Sequence, residues 1–222
     1  MSIREREDEL FDRWQRECPG LMRDGVVDEA AYLASQPKIL FVLKEGNAQG
    51  ELGLDLREII ADNQRDPTWS PIARWVYGIR NRENDISWAK LCAGDSGFRG
   101  KQTRTIVAVN LNKIPGSTRA DWRTVRENAL QYRRYLCEQF ALYAPDLTIC
   151  CGGDQLADLY WEIVGDQTTT TVKWERTTRG IWFLRAPMCG CLLDYVHPEI
   201  YCPDHLIHYP LIAAVRETLD SA

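Results

Sequence analysis

Nowhere does the 222-residue chain carry an apolar run near the roughly 18 residues of a membrane span, so no bilayer partner is expected. The start, Met1-Ser2-Ile3-Arg4-Glu5, lacks the apolar segment of a secretion signal, and a cytoplasmic protein is expected. Paired C-x-x-C spacing is also missing: Cys150 and Cys151 are adjacent, Cys189 and Cys191 flank one glycine, and the other four cysteines stand apart. Eight thiols so arranged in a reducing compartment read as buried residues rather than disulfides or zinc ligands, and neither metal nor cofactor is expected. Excess positive charge is absent too. A net charge of -5 speaks against tight non-specific binding to many DNA phosphates, though it leaves room for a local basic face. There is no internal repeat, linker or low-complexity tract. A chain of 222 residues, 45% of them hydrophobic, fits one domain spanning 1–222, with 1–36 as an amino-terminal helical extension, and a monomer is expected.

What the chain does have is four short apolar runs, each closed by residues with a chemical use. Ile39-Leu40-Phe41-Val42-Leu43 follows Pro37-Lys38 and ends in Lys44-Glu45-Gly46-Asn47. Ile106-Val107-Ala108-Val109 ends in Asn110, Leu147 to Cys151 in Gly152-Gly153, and Cys191 to Val196 in His197-Pro198. A strand buried on one face alternates apolar with polar residues, whereas unbroken runs mark strands buried on both faces, as in parallel sheets. Helical stripes alternate with these runs. The expected architecture is therefore a three-layer α/β/α sandwich with a central, mostly parallel four-stranded sheet. Open parallel sheets bind ligands beyond the carboxyl ends of their strands, so the polar residues there are the candidate site.

The connecting segments carry readable signals. Ser2 and Glu5 form a capping box before Leu10, Phe11 and Trp14, and Asp28 precedes a short helix. A helix over 54–62 and a second one started by Ser70-Pro71 are expected to cover the sheet, and 95–101 reads as a loop. One long helix is expected from about Asp121 to Tyr143, followed, after the third strand, by a helix capped by Asp154. Residues 169–176 and 181–185 suggest a hairpin, and a final helix starts at Pro203-Asp204 and bends near Pro210. Beyond Asn110, Lys113, Ser117 and Arg119 offer cations and a small donor of the kind that holds a phosphate.

A first strand running into a Gly/Asn/acidic turn, a second ending in Asn110 with Lys113 and Pro115 beyond it, and a last ending in His197-Pro198 resemble the uracil-DNA glycosylase superfamily in kind and order. The likeness spans about residues 37–219 in element order, with motif identity at about ten positions. It implies a DNA N-glycosylase of that fold, a hydrolase with no cofactor that flips a pyrimidine nucleotide out of DNA. Carried over, Glu45 or Asn47 positions the hydrolytic water, Asn110 reads the pyrimidine edge and His197 stabilises the leaving base. Gly46, Lys113, Ser117, Arg119, Gly152 and Gly153 would line the substrate site. Ile200 and Tyr201, just after His197-Pro198-Glu199, would fill the gap left in the stack.

Chemistry fits these roles independently. Cleaving the bond leaves negative charge on the base and positive charge on the sugar, so a donor at a base oxygen and a carboxylate beneath the sugar both lower the barrier. An amide offers both a donor and an acceptor to a base edge. The chain departs from the family pattern in three places. The first turn has no proline, leaving Glu45 and Asn47 as alternatives; Glu199 stands where a small residue is usual; and 48–53 holds no aromatic wall. The substrate is therefore expected to be uracil or a modified pyrimidine, including a bulky hypermodified base of the kind found in phage DNA, with a repair or anti-phage role. The alternative is a catalytically silent α/β nucleotide- or DNA-binding module of the same fold. Plain readings stand beside these. Glu45 can be a solvated strand end, Asn47 and Asn110 turn formers, His197 a backbone-bonded imidazole, and His205 and His208 a surface face.

Overall fold

In a computed structural model, which describes residues 1–47, 51–62, 67–94, 96–116, 120–165 and 172–220, helices and strands alternate along the chain. The order is α1 (Ile3–Trp14), β1 (Gly25–Val26), α2 (Glu29–Leu33), β2 (Ile39–Asn47), α3 (Leu56–Ala61), α4 (Trp69–Arg80), α5 (Trp88–Cys92), α6 (Ser96–Thr103), β3 (Ile106–Gly116), α7 (Trp122–Gln131), α8 (Arg133–Phe140), β4 (Leu147–Cys151), α9 (Asp154–Val164), β5 (Glu175–Arg176), β6 (Trp182–Ala186), β7 (Gly190–Tyr195) and α10 (Asp204–Leu219).

Among the described residues the sheet has seven strands in the order β1-β3-β2-β4-β7-β6-β5, rather than the four expected. The four expected runs form its parallel centre, β3-β2-β4-β7. Antiparallel strands flank that centre on both sides: β1 on β3, then β6 on β7 and β5 on β6. These edge strands are short and partly polar, which is why apolar runs alone do not reveal them. Residues of β2 alternate between two cores. Leu40 and Val42 join α1, α7, α8 and α9 on one face, and Ile39, Phe41 and Leu43 join α3, α4 and α10 on the other. Both faces are dry, as unbroken apolar runs require.

Several local expectations hold. Ser2 and Glu5 make both bonds of the capping box, and Asp28 accepts from the Ala31 N–H at the start of α2. Others need correction. The 95–101 stretch is not a loop but lies largely in α6, held by Phe98 packing edge-on to Tyr77 of α4 with ring centroids 5.3 Å apart. The long helix breaks at Tyr132 (φ -102, ψ 19) into α7 and α8, where Tyr132 and Tyr135 pack on opposite parts of the Trp14 environment in α1. The helix start falls at Trp69, with Thr68 before it and no side-chain cap, rather than at Ser70-Pro71. Gly153, at φ 79, occupies the position before α9 where Asp154 was expected as the cap. Of the hairpin, only Glu175–Arg176 and Trp182–Ala186 pair, around Gly180 at φ 77; residues 169–171 lie outside the described residues. His208 is buried rather than on a surface face, and burial with the nearby Arg74 lowers its pKa to about 4.

The cysteines only partly follow the expectation of buried thiols: Cys92 is exposed, and Cys137 and Cys202 are part-buried. Cys18, Cys150, Cys151, Cys189 and Cys191 are buried free thiols. Burial raises the pKa of Cys150, Cys151 and Cys189, which disfavours the thiolate a nucleophile would need.

Candidate active site

Register fixes which residues meet at the carboxyl edge. Asn110 pairs with Leu43, Val42 with Cys150, Cys150 with Asp194 and Cys151 with Tyr195. Asn110, Leu43, Cys151 and Tyr195 therefore stand at about one level, with Lys44 to Asn47, Gly152-Gly153 and His197 just beyond it. Strand spacings of about 4.8 Å put β3 and β7 roughly 14 Å apart.

Two strands run further than the sequence suggests. Lys44 to Asn47 is strand rather than turn, and β3 continues six residues past Asn110 to Gly116, so Asn110 does not end its strand. The extended ribbon pairs Glu45 with Asn112 and, after a register shift, Asn47 with Gly116. Polar side chains bridge it. Asn112 Nδ2 donates to Glu45 Oε2 at 2.9 Å, and Asn128 Nδ2 donates to Asn112 Oδ1 at 3.1 Å, which ties α7 to the ribbon. Gly116 gives the carboxylate its room, because a Cβ on it would lie 1.9 Å from Glu45 Oε1 and displace that side chain. Burial raises the Glu45 pKa, with Asn112 opposing and Asp121 adding to the rise. Asn47 is exposed at the rim.

Asn110 is 2% exposed, and its Nδ2 has no hydrogen-bond partner among the described residues. Gly46 and Met22 sit beside it, and a Cβ on Gly46 would meet the Met22 sulfur at 2.4 Å and lie 3.9 Å from Asn110 Nδ2. Buried amides are nearly always bonded, so this leftover donor stands out.

His197 is half-buried, and its Nδ1 accepts from the Glu199 N–H at 3.1 Å. An acceptor Nδ1 leaves the proton of the neutral ring on Nε2, which makes Nε2 a donor. Pro198 is buried and the Ile200 N–H donates to the His197 carbonyl at 3.0 Å, so a short turn holds the ring. The Glu199 carboxylate accepts from the Thr68 hydroxyl at the start of α4, which directs it to that helix.

Other expected site residues fare differently. Lys113 is corrected: it is fully buried and its Nζ meets Asp24 Oδ1 at 2.5 Å, so it cannot touch a phosphate. The N–H groups of Gly152 and Gly153 both donate to the Tyr195 carbonyl at 3.0 Å, so they offer a ligand close approach but no free donor. Ser117, Arg119 and residues 48–50 lie outside the described residues. Sequence reasoning missed Met22, Asp24, Asn112 and Asn128. Only Asn112 had a signal, two residues from Asn110 on the same strand.

Ile200 is 43% exposed and Tyr201 fully so. Four of the nine exposed large hydrophobic side chains among the described residues, Ile200, Tyr201, Leu206 and Tyr209, fall in the ten positions after Glu199, too dense a cluster for scattered exposure. If Ile200 and Tyr201 hold open a duplex, alanine at either should cut base release from duplex DNA by about tenfold or more, with much smaller loss from single strands. Equal losses on both substrates, or a large drop in melting temperature, would assign them to packing. No family model matches the chain, and no curated protein does either.

Proposed function

We propose that the protein is a DNA glycosylase that hydrolyses the N-glycosidic bond of a flipped uracil or modified pyrimidine. The observation that carries this reading is the buried Asn110 Nδ2, a donor without a partner among the described residues, at the same sheet edge as an imidazole whose Nδ1 accepts from the Glu199 N–H. In the proposed reaction the C1′–N1 bond breaks and the bonding pair leaves with the base. The Nε2–H of His197 donates to the base oxygen where that charge collects. Water, oriented by Glu45, adds its oxygen to C1′ and loses a proton, and the carboxylate offsets the positive charge of the sugar. Burial raises the Glu45 pKa, which favours its taking that proton. Asn110 reads the base edge with its amide. DNA is thus the partner, and Ile200 and Tyr201 are positioned to enter the stack.

Asn110→Asp exchanges an amide donor for an acceptor and should change which pyrimidine is released, with a selectivity shift of roughly 100-fold or more. Competition between uracil-, cytosine- and modified-base oligonucleotides reads this directly, and unchanged preference would make Asn110 a structural residue. A second reading, a silent nucleotide- or DNA-binding module, draws on one observation. Glu45 is held by Asn112 and pressed on Gly116, in strand rather than in an open turn. Binding of DNA without base release would favour it.

A further inference from the structure

The residue that sets the position of Asn110 lies 86 positions earlier in the chain. Asp24, fully buried just before β1, accepts from the Asn110 N–H at 2.7 Å through Oδ2, and through Oδ1 from Lys113 Nζ at 2.5 Å and Gln139 Nε2 at 2.9 Å. The β1–β3 ladder ends at Gly25 opposite Ala108, so from there on a side-chain carboxylate takes the place of a strand partner. Lys113 also faces the Trp14 and Phe11 rings, 5.6 and 5.7 Å from their centroids, which closes it off from water. Around the pair stand Gln139 and Tyr143 at the end of the α8 region, Glu7 of α1, which accepts from the Tyr143 hydroxyl at 2.7 Å, and Arg57 of α3, 2.8 Å from Glu7.

We propose that Asp24 and Lys113 form a charge-neutral clamp on the base-reading strand. Asp24 fixes Asn110 through its main-chain N–H, and Lys113 cancels a negative charge that would otherwise lie beneath the departing base. Both are positioning residues, and the proposal rests on the glycosylase reading. The base leaves as an anion. A lone carboxylate near it, at an effective dielectric of about 20, would slow release by tens of fold. With Lys113 beside Asp24 the two charges nearly cancel.

The sign of the charge separates this role from packing. Base release is measured on the full chain, well below each variant's melting temperature. Lys113→Met leaves the negative charge alone and should lower kcat by tens of fold with KM little changed. The double variant Asp24→Asn with Lys113→Met is neutral again and keeps an oxygen for the Asn110 N–H, so its kcat should return to within about fivefold of the parent. Asp24→Asn alone, which removes the carboxylate, should be at least as fast as the double variant. If Lys113→Met does not fold, that last comparison decides, and a slower Asp24→Asn overturns the clamp. So do losses of kcat that follow melting temperature whatever the charge, or a double variant as slow as Lys113→Met. A parent that releases no base rejects the glycosylase reading and the clamp together, whereas an active parent with charge-independent losses rejects the clamp alone.

Discussion

His197→Ala should lower base release by roughly 100-fold or more, the usual cost of losing one preorganised donor at a developing negative charge. The effect should fall on kcat, because the bond from Nε2 to the base oxygen strengthens only as the glycosidic bond breaks. Melting curves separate this loss from any change in stability, since the half-buried ring also helps hold the turn by accepting from the Glu199 N–H through Nδ1. Single-turnover rates of parent and variant, with melting curves alongside, decide the matter. Full activity in the variant would remove His197 from the chemistry and leave it as the backbone-bonded imidazole of its plain reading.

Arg57→Met should cost about 3–5 kcal/mol of folding stability, the range for breaking a buried ion pair by removing one partner. Arg57 is 2% exposed and bonds Glu7 at 2.8 Å, Asp55 at 2.7 Å and Asp8 at 2.9 Å, joining α1 and α3 beneath the edge of β1. Asp8 is exposed enough to be solvated, so the loss comes from Glu7 and Asp55. Glu7 makes the cost depend on pH. Burial pushes its pKa from the ordinary 4.5 up to about 7, although Arg57, Tyr143 and the Val26 N–H each hold the ionised form. A carboxyl raised on folding contributes stability below about pH 4.5 and loses it as pH rises through about 7. In the variant Glu7 loses the cation that favours its ionised form, a loss felt at pH 8, above its pKa in the parent, and little at pH 5, below it. Denaturant unfolding should therefore show a larger loss at pH 8 than at pH 5. Equal losses at both would mean that Glu7 stays ionised throughout.

The central strands were legible because nothing but a doubly buried strand explains apolar runs such as Ile39 to Leu43 and Leu147 to Cys151. Their ends were legible only in part: β4 and β7 stop at Cys151 and Tyr195, close to the expected glycine pair and His197, whereas β2 and β3 run on through Asn47 and Gly116. What the sequence hid depends on contacts distant in the chain. Lys113 reads as a solvated cation near a strand end, and only Asp24, 89 positions away, turns it inward. The continuation of β2 through Lys44 to Asn47 is polar, so it resembles a turn until Asn112 and Gly116 supply its pairing. Residues 95–101 contain two glycines and read as a loop, whereas Ser96–Thr103 is helix with Phe98 packed edge-on to Tyr77. β1 has only two residues, too few for any periodicity, yet the segment leading into it carries Met22 and Asp24 to Asn110.

The most direct measurement is release of free base from a panel of single- and double-stranded DNAs carrying uracil, mismatched pyrimidines and hypermodified pyrimidines, followed by cleavage of the resulting abasic sites. At least one pyrimidine should be released by the parent chain and not by His197→Ala, leaving an intact strand with an abasic site. DNA or nucleotide binding with no base released from any member of the panel would contradict the glycosylase reading.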